Sequence, residues 1–258
     1  MKSKSILIIG LLLALLPSCN TQERLEKKIH ALENSPSFLD TAQQNQLLGL
    51  YLKYAHKFPN TENAINFWFH GVQELYYRKN SQKVIQEGQL FLAQYDSTPF
   101  HRNMQILLAK SYYKTSQMDS SISFYGKAEK QQVLNSDESQ DLALVFLKKE
   151  VQVRGDSIGS YFLLRAAKLL IQSQQSSKAL EIVDDLLSRY RGTNEEAEAL
   201  YLKARILEDD GKIALAKKYY SEMVSKFPKH PFSKDVRLIL ENDFVGLSAE
   251  EIFEKIKP

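Results

Sequence analysis

A single cysteine, Cys19, stands in the 258 residues of this chain. One thiol excludes an intramolecular disulfide framework and any zinc or iron–sulfur site built on several thiolates. Glycine and proline are scarce as well, 17 of 258 residues together. That is about 6.6% against roughly 12% in average usage, which disfavours folds made of many tight turns and leaves no Gly-rich phosphate loop, dinucleotide fingerprint or Gly-x-Ser-x-Gly elbow. An excess of one charge is also missing: 34 Lys and Arg face 31 Asp and Glu, with no basic block, so there is no electrostatic case for nucleic acid. The five histidines, His30, His56, His70, His101 and His230, show no metal-ligand spacing. The acidic pairs Asp184-Asp185, Glu195-Glu196 and Asp209-Asp210 are neighbours on helices, where adjacent side chains diverge, and are expected to be solvent-facing charge. These absences point to a protein without catalytic residues, metal or cofactor.

What is present begins at the N-terminus. Lys2 and Lys4 precede the eleven-residue run Ile6 to Leu16, then Pro17-Ser18-Cys19, the layout of a bacterial export signal. The run is too short for a stable membrane-spanning helix, which needs about 20 residues. Loss of residues 1–18 leaves 240 residues with 32 basic against 31 acidic side chains, so a membrane contact would rest on lipid rather than on a polybasic surface. Leu16-Pro17-Ser18-Cys19 resembles the lipobox of bacterial lipoproteins, with Pro17 where a small residue is usual; the resemblance implies acylation of Cys19.

Beyond Cys19 the chain reads as helix after helix. Leu25, Ile29 and Leu32 mark one short amphipathic helix, and a second begins near Thr41 and stops at Phe58-Pro59-Asn60. Similar junctions recur at Tyr95, Tyr190 and Phe227-Pro228; Phe58 to Tyr95 and Tyr190 to Phe227 are each 37 residues. Such a period signals a repeat. Within it, a small residue late in one helix (Ala109, Ala167, Ala204) is matched by one early in the next (Ser121, Ala179, Ala216), followed four positions on by Tyr125, Val183 or Tyr220. Small residues let two helices approach; the bulky one fills the space beside them.

This pattern resembles the tetratricopeptide repeat (TPR). Residues 197–230 match with Ala204, Leu207, Gly211, Ala216, Tyr220 and Pro228, residues 102–133 with Ala109, Tyr112, Ser121, Tyr125 and Ala128, and residues 160–191 with Ala167, Leu170, Ala179 and Val183. Residues 65–95 match through Trp68, Leu75 and Val84, with Val72 in the small position and a turn that reads one residue short. The corresponding positions Val84, Ser121, Ala179 and Ala216 are 37, 58 and 37 apart, so 21 extra residues lie near 133–160: an inserted helix, expected from Asp141 to Val153, or a degenerate pair. A helix from Ser233 to Asn242 and a capping-box start at Ser248-Ala249-Glu250-Glu251 close the chain.

The expected organisation is thus an all-α, TPR-like helical-hairpin solenoid: signal 1–18, lipidated linker and short helix 19–40, repeats 41–245 interrupted near 133–160, and a capping helix 246–258. The chain also resembles exported TPR lipoproteins of Bacteroidota, of the general type of the outer-membrane assembly lipoprotein BamD. That resemblance implies a lipid-anchored scaffold for envelope proteins or peptides, facing the periplasm from the outer membrane. A factor coordinating peptidoglycan or carbohydrate processing stays open beside it. The family's inner-face positions carry over to Tyr77, Lys110, Tyr113, Lys168, Tyr201 and Arg205, a mixture suited to an aromatic anchor and a carboxylate-bearing segment.

Overall fold

The computed structural model describes residues 21–35 and 37–257, and the regular structure among them is helical throughout. The signal segment 1–18 and Cys19 lie outside the described residues. The helices are α1 (described residues 21–33), α2 (Thr41–Lys57), α3 (Glu62–Tyr77), α4 (Ser81–Gln94), α5 (His101–Lys114), α6 (Met118–Gln131), α7 (Ser136–Gln152), α8 (Ile158–Gln172), α9 (Ser176–Arg189), α10 (Glu195–Asp209), α11 (Ile213–Lys226), α12 (Ser233–Glu241) and α13 (Ala249–Ile256). The chain divides between Gln131 and Gln132 into two compact units.

In the first unit each helix from α2 to α6 packs on its sequence neighbours, and α3 also touches α5. The second unit repeats the scheme: α7 on α8, α8 on α9, α9 on α10, α10 on α11 and α11 on α12, with α8 touching α10. Contact between alternate helices is what stacked hairpins of TPR-like form require, α3–α4 and α5–α6 in one unit and α8–α9 and α10–α11 in the other.

The small residues sit where the helices meet. Ala109, Ser121, Ala167, Ala179, Ala204 and Ala216 are all fully buried. Ser121 adds a hydrogen bond from its Oγ to the Ala109 carbonyl, 2.8 Å, which satisfies a buried hydroxyl across the α5–α6 contact. Tyr125, Val183 and Tyr220 are buried four residues beyond. Gly88 does a similar service between α4 and α5: a Cβ there would stand 3.0 Å from Leu108 and 3.1 Å from Met104.

One turn is used five times. In each, the second residue beyond the preceding helix adopts a positive φ: Lys79, Ser116, Gln174, Gly211 and Asp243. In each, paired backbone hydrogen bonds close the end of the preceding helix, as in Asn80 N–H to Leu75 O with Lys79 N–H to Tyr76 O, or Lys212 N–H to Leu207 O with Gly211 N–H to Glu208 O. This is the Schellman arrangement, which satisfies carbonyls that a helix end leaves open. The turn after α3 therefore has full length, which corrects the reading of residues 65–95 as one residue short. Val72 and Val84, both fully buried, replace the small pair.

The segment 133–160 holds one extra helix, α7, before α8 begins at Ile158, and α7 starts five residues before the expected Asp141. The polar run is its first turn. Asn135 Oδ1 accepts from the Glu138 N–H at 2.9 Å while Glu138 Oε2 accepts from the Asn135 N–H at 3.0 Å. Ser248 and Glu251 form the same reciprocal cap at α13, as their spacing predicts.

Among the described residues, four clusters of buried side chains contribute to the core. In the first unit Leu25, Ile29, Tyr51, Tyr54, Ala64 and Phe67 hold α1 on α2 and α3, and a larger group around Trp68, Phe91, Met104 and Leu108 joins α3 to α5. In the second, Leu163, Val183, Leu186 and Tyr190 knit α8 to α9, and Leu200, Tyr220, Met223 and Val236 knit α10 to α12. Each large side chain removed from water contributes about 1.5–3 kcal/mol.

Candidate partner-binding surface

The core spacing of each first helix decides what it exposes. In α5, Ala109 and Tyr112 are buried, and Lys110 and Tyr113, one position on, are half-buried. In α8 the buried pair Ala167 and Leu170 leaves Lys168 half-buried, and in α10 Ala204 and Leu207 leave Arg205 exposed. A cation thus follows the small residue in three repeats; α3 has Gln73 there. Tyr77, at the end of α3, is 67% exposed.

These residues differ in how far they are already engaged. Lys168 Nζ forms an ion pair with Glu198 at 2.5 Å, tying α8 to α10. Tyr201 packs its ring on Phe232, 4.8 Å between centroids, and on Tyr220 at 6.0 Å. Arg205 opens into a cavity of about 500 Å³ shared with Glu208, Tyr220, Phe244 and Ile252. Glu208 accepts from the Tyr220 hydroxyl at 2.7 Å and from the Gly246 N–H at 2.7 Å. Burial and then that carboxylate push the Tyr220 hydroxyl well above the ordinary tyrosine range, so it is a fixed donor. Tyr77, Lys110 and Tyr113 belong to the first unit and Lys168, Tyr201 and Arg205 to the second.

Tyr77 lies on two concavities. One, about 420 Å³, opens between α2 and α3 beside Leu47, Tyr51, His70 and Glu74. The other, about 490 Å³, is a notch of Tyr76, Tyr77, Lys79, Ser81 and Lys114 at the α3–α4 turn and the end of α5. A further cavity of about 460 Å³ among α9, α10 and α11 carries Asp184, Lys203, Tyr219, Glu222 and Lys226. There Lys203 pairs with Asp184 at 2.6 Å and lies 4.1 Å from the Tyr219 ring centroid.

Two acidic residues depart from the expected solvent-facing role or escaped notice. Glu196 is 6% exposed; it accepts from the Gly192 N–H at 2.6 Å and faces Lys226 at 3.4 Å, so it fastens the α9–α10 junction rather than facing water. Glu150, 2% exposed, accepts from Arg189 Nη1 at 2.7 Å and from the Tyr190 hydroxyl at 2.8 Å. Its signal in the sequence is an acid four residues after Phe146, itself four after Leu142, on a buried stripe. Among the described residues no group of three or more His, Cys, Asp or Glu side chains is arranged to hold a metal ion, and no helix is long and apolar enough to cross a membrane.

No protein-family model and no curated protein matches the chain. Among the solved structures that match is the crystal structure of a candidate kinesin light chain from Podosopora anserina with nearly identical TPR-like repeats. The match spans 82% of this chain and 96% of that one at 11% identity and a TM-score of 0.33. The repeat architecture accordingly stands on the chain's own hairpins, buried small pairs and five matching turns.

Proposed function

We propose that this chain is a non-enzymatic scaffold of the bacterial cell envelope, lipid-anchored through Cys19, that binds partner proteins or peptides through the first-helix faces of its TPR-like hairpins. The observation that carries the reading is that the repeat spacing leaves tyrosines and cations on first helices in each unit, Tyr77 in one and Arg205 in the other lining concavities of 420–500 Å³. Tyr and Arg supply binding energy disproportionate to their number at interfaces. Outer-membrane protein assembly, on the periplasmic side, is the setting we favour.

The first helix bears on the anchor. Residue 21 is already helical, and Leu25 and Ile29 are buried against α2 and α3. A lipid on Cys19 would be two residues from a docked helix, a reach of at most about 7 Å, so the first unit would lie against the membrane surface.

Labelling with a palmitate analogue tests the anchor: the wild-type chain should incorporate label and Cys19→Ala should not. Affinity capture from detergent-solubilised envelope tests the scaffold. Outer-membrane assembly components should be recovered by the wild-type chain and lost on combined Tyr77→Ala, Lys110→Ala, Tyr113→Ala and Arg205→Ala substitution, with helicity retained by circular dichroism. Unchanged recovery by that variant would sink the first-helix surface, and recovery of glycan-processing enzymes instead would move the scaffold to peptidoglycan handling.

A further inference from the structure

We infer that the notch at the α3–α4 turn binds an acidic peptide segment, its carboxylates held between Lys79 and Lys114 and one of its apolar side chains seated on Tyr76 and Tyr77. The inference rests on the reading of the chain as a protein-binding scaffold and is independent of the lipid anchor.

The charge of the walls carries it. The notch presents two ammonium groups, two phenols and the Ser81 hydroxyl, and no carboxylate. The other three cavities described above each hold acids: Glu74 in one, Asp184, Glu196 and Glu222 in the second, Glu208, Asp209 and Glu251 in the third. Lysines beside those cavities are neutralised, as in Lys203 with Asp184 and Lys226 with Glu222. Neither Lys79 nor Lys114 has a carboxylate within ion-pair distance among the described residues. The acid on the adjoining turn, Glu74, is taken by Arg78 Nε at 2.6 Å. An incoming carboxylate therefore meets two cations with no internal competitor, and charge-assisted hydrogen bonds of this kind are roughly twice as strong as neutral ones.

Shape selects a peptide over a lipid surface. The cations flank a concavity of about 490 Å³, room for a side chain and its backbone, whereas a bilayer is met by cations spread over a convex face. Tyr77 stands at the rim as an amphipathic aromatic surface of the kind enriched at protein interfaces. The base of Lys79 is fixed in advance: its N–H donates to Tyr76 O at 2.9 Å and the following Asn80 N–H to Leu75 O at 3.0 Å. Such preorganisation lowers the ordering cost of binding.

The test uses the full chain in detergent and a fluorescein-labelled peptide Glu-Glu-Phe-Glu-Asp-Glu, with a counterpart in which every acid is Gln or Asn. Fluorescence anisotropy should show binding of the acidic probe alone, weakening as salt is raised to about 0.5 M. Lys79→Gly with Lys114→Gln should weaken it by at least about tenfold with a thermal melt no lower than that of the wild type, since Gly relieves the positive φ at position 79. Tyr77→Ala should also weaken binding, and Lys234→Gln, at an exposed cation of the other unit, should leave it unchanged. Equal affinity of the Lys79→Gly, Lys114→Gln chain and the wild type, or equal binding of the two peptides, would overturn the assignment. So would lysine-dependent sedimentation with phosphatidylglycerol vesicles by a chain that ignores the probe. Loss of the probe in Arg205→Ala but not in the notch variant would reject the notch while sparing the broader scaffold reading.

Discussion

Glu150 is where single residues matter most in the second unit. Its carboxylate is buried at the end of α7 and receives Arg189 and Tyr190 from the end of α9, with Arg154 Nη2 at 3.5 Å. Removing one member of a buried charged group leaves the others unsatisfied, so Glu150→Ala should cost about 3 kcal/mol in chemical denaturation. Glu150→Gln, which keeps an acceptor for the Tyr190 hydroxyl, should cost less. Burial alone would raise the Glu150 carboxyl, but Arg189 and Tyr190 outweigh it and hold it below the ordinary value of 4.5. The unfolded chain then takes up the proton first, so this contribution is complete above that value and is lost as pH falls through the folded one. Urea midpoints followed from about pH 6 down to pH 3 should fall less steeply in Glu150→Gln than in wild type; parallel declines would refute the linkage. Beside it, Gly159 has no room for a methyl, since a Cβ would lie 2.1 Å from the Tyr190 hydroxyl. Gly159→Ala should destabilise by about 2 kcal/mol, and Tyr190→Phe combined with it should cost less than the sum of the two, because the hydroxyl is the worst contact. The Leu142–Phe146 spacing puts Glu150 on a core-facing stripe, but neither its partners nor the tight contact at Gly159 can be read from the sequence. Their roles depend on Tyr190, 40 positions from Glu150 and 31 from Gly159, which only the packing brings to them.

At the level of elements, local chemistry made much of the structure readable and also hid part of it. The apolar spacing of α1, the Phe58-Pro59 stop after α2 and the Ser248 cap of α13 are local signals, and the helices follow them. The start of α7 was missed because Asn, Ser, Asp and Glu suit both loops and first turns; what decides is the reciprocal Asn135–Glu138 pair. The repeated turn was visible only where Gly211 marks it. Four of its five occurrences place Lys79, Ser116, Gln174 or Asp243 in the left-handed region, which a side chain makes costly by about 1–2 kcal/mol. Those residues tolerate it because paired hydrogen bonds and the packing of the two helices fix the turn. Replacing them should reveal the stored cost: Ser116→Gly and Gln174→Gly should each raise stability by about 0.5–1 kcal/mol, and Gly211→Ala should lower it by about 1 kcal/mol. Thermal melts of the single variants check this, and a loss of stability in both Gly variants would mean that the Ser116 and Gln174 side chains contribute more than the strain removes.

For the molecule as a whole, the 21 residues that lengthen one interval between matching positions from 37 to 58 are accounted for by α7, one helix and its turns, and it opens the second of two compact units. Each unit has its own clusters of buried side chains, with Trp68 at the centre of the first. Trp68 is the sole tryptophan of the chain, 4% exposed, its indole N–H donating to Glu87 at 2.9 Å. Its fluorescence reports the first unit alone, whereas far-ultraviolet circular dichroism sums the helices of both. Stability in helical repeats is carried by each unit's intrinsic energy and by nearest-neighbour contacts, so damage to one core acts first where it is made. Leu163→Ala, a truncation of a side chain 1% exposed in the core of the second unit, should cost about 2–5 kcal/mol there. In urea the dichroism of this variant should lose amplitude in an early step that the wild type lacks, while the Trp68 transition keeps its midpoint. The reciprocal substitution Leu108→Ala, in the core around Trp68, should move the fluorescence transition and leave the remaining dichroic step in place. If Leu163→Ala instead shifts the Trp68 midpoint by as much as it shifts the dichroism, the two cores melt as one cooperative body, and the proposed binding faces of the two units would have to be treated as a single thermodynamic unit as well.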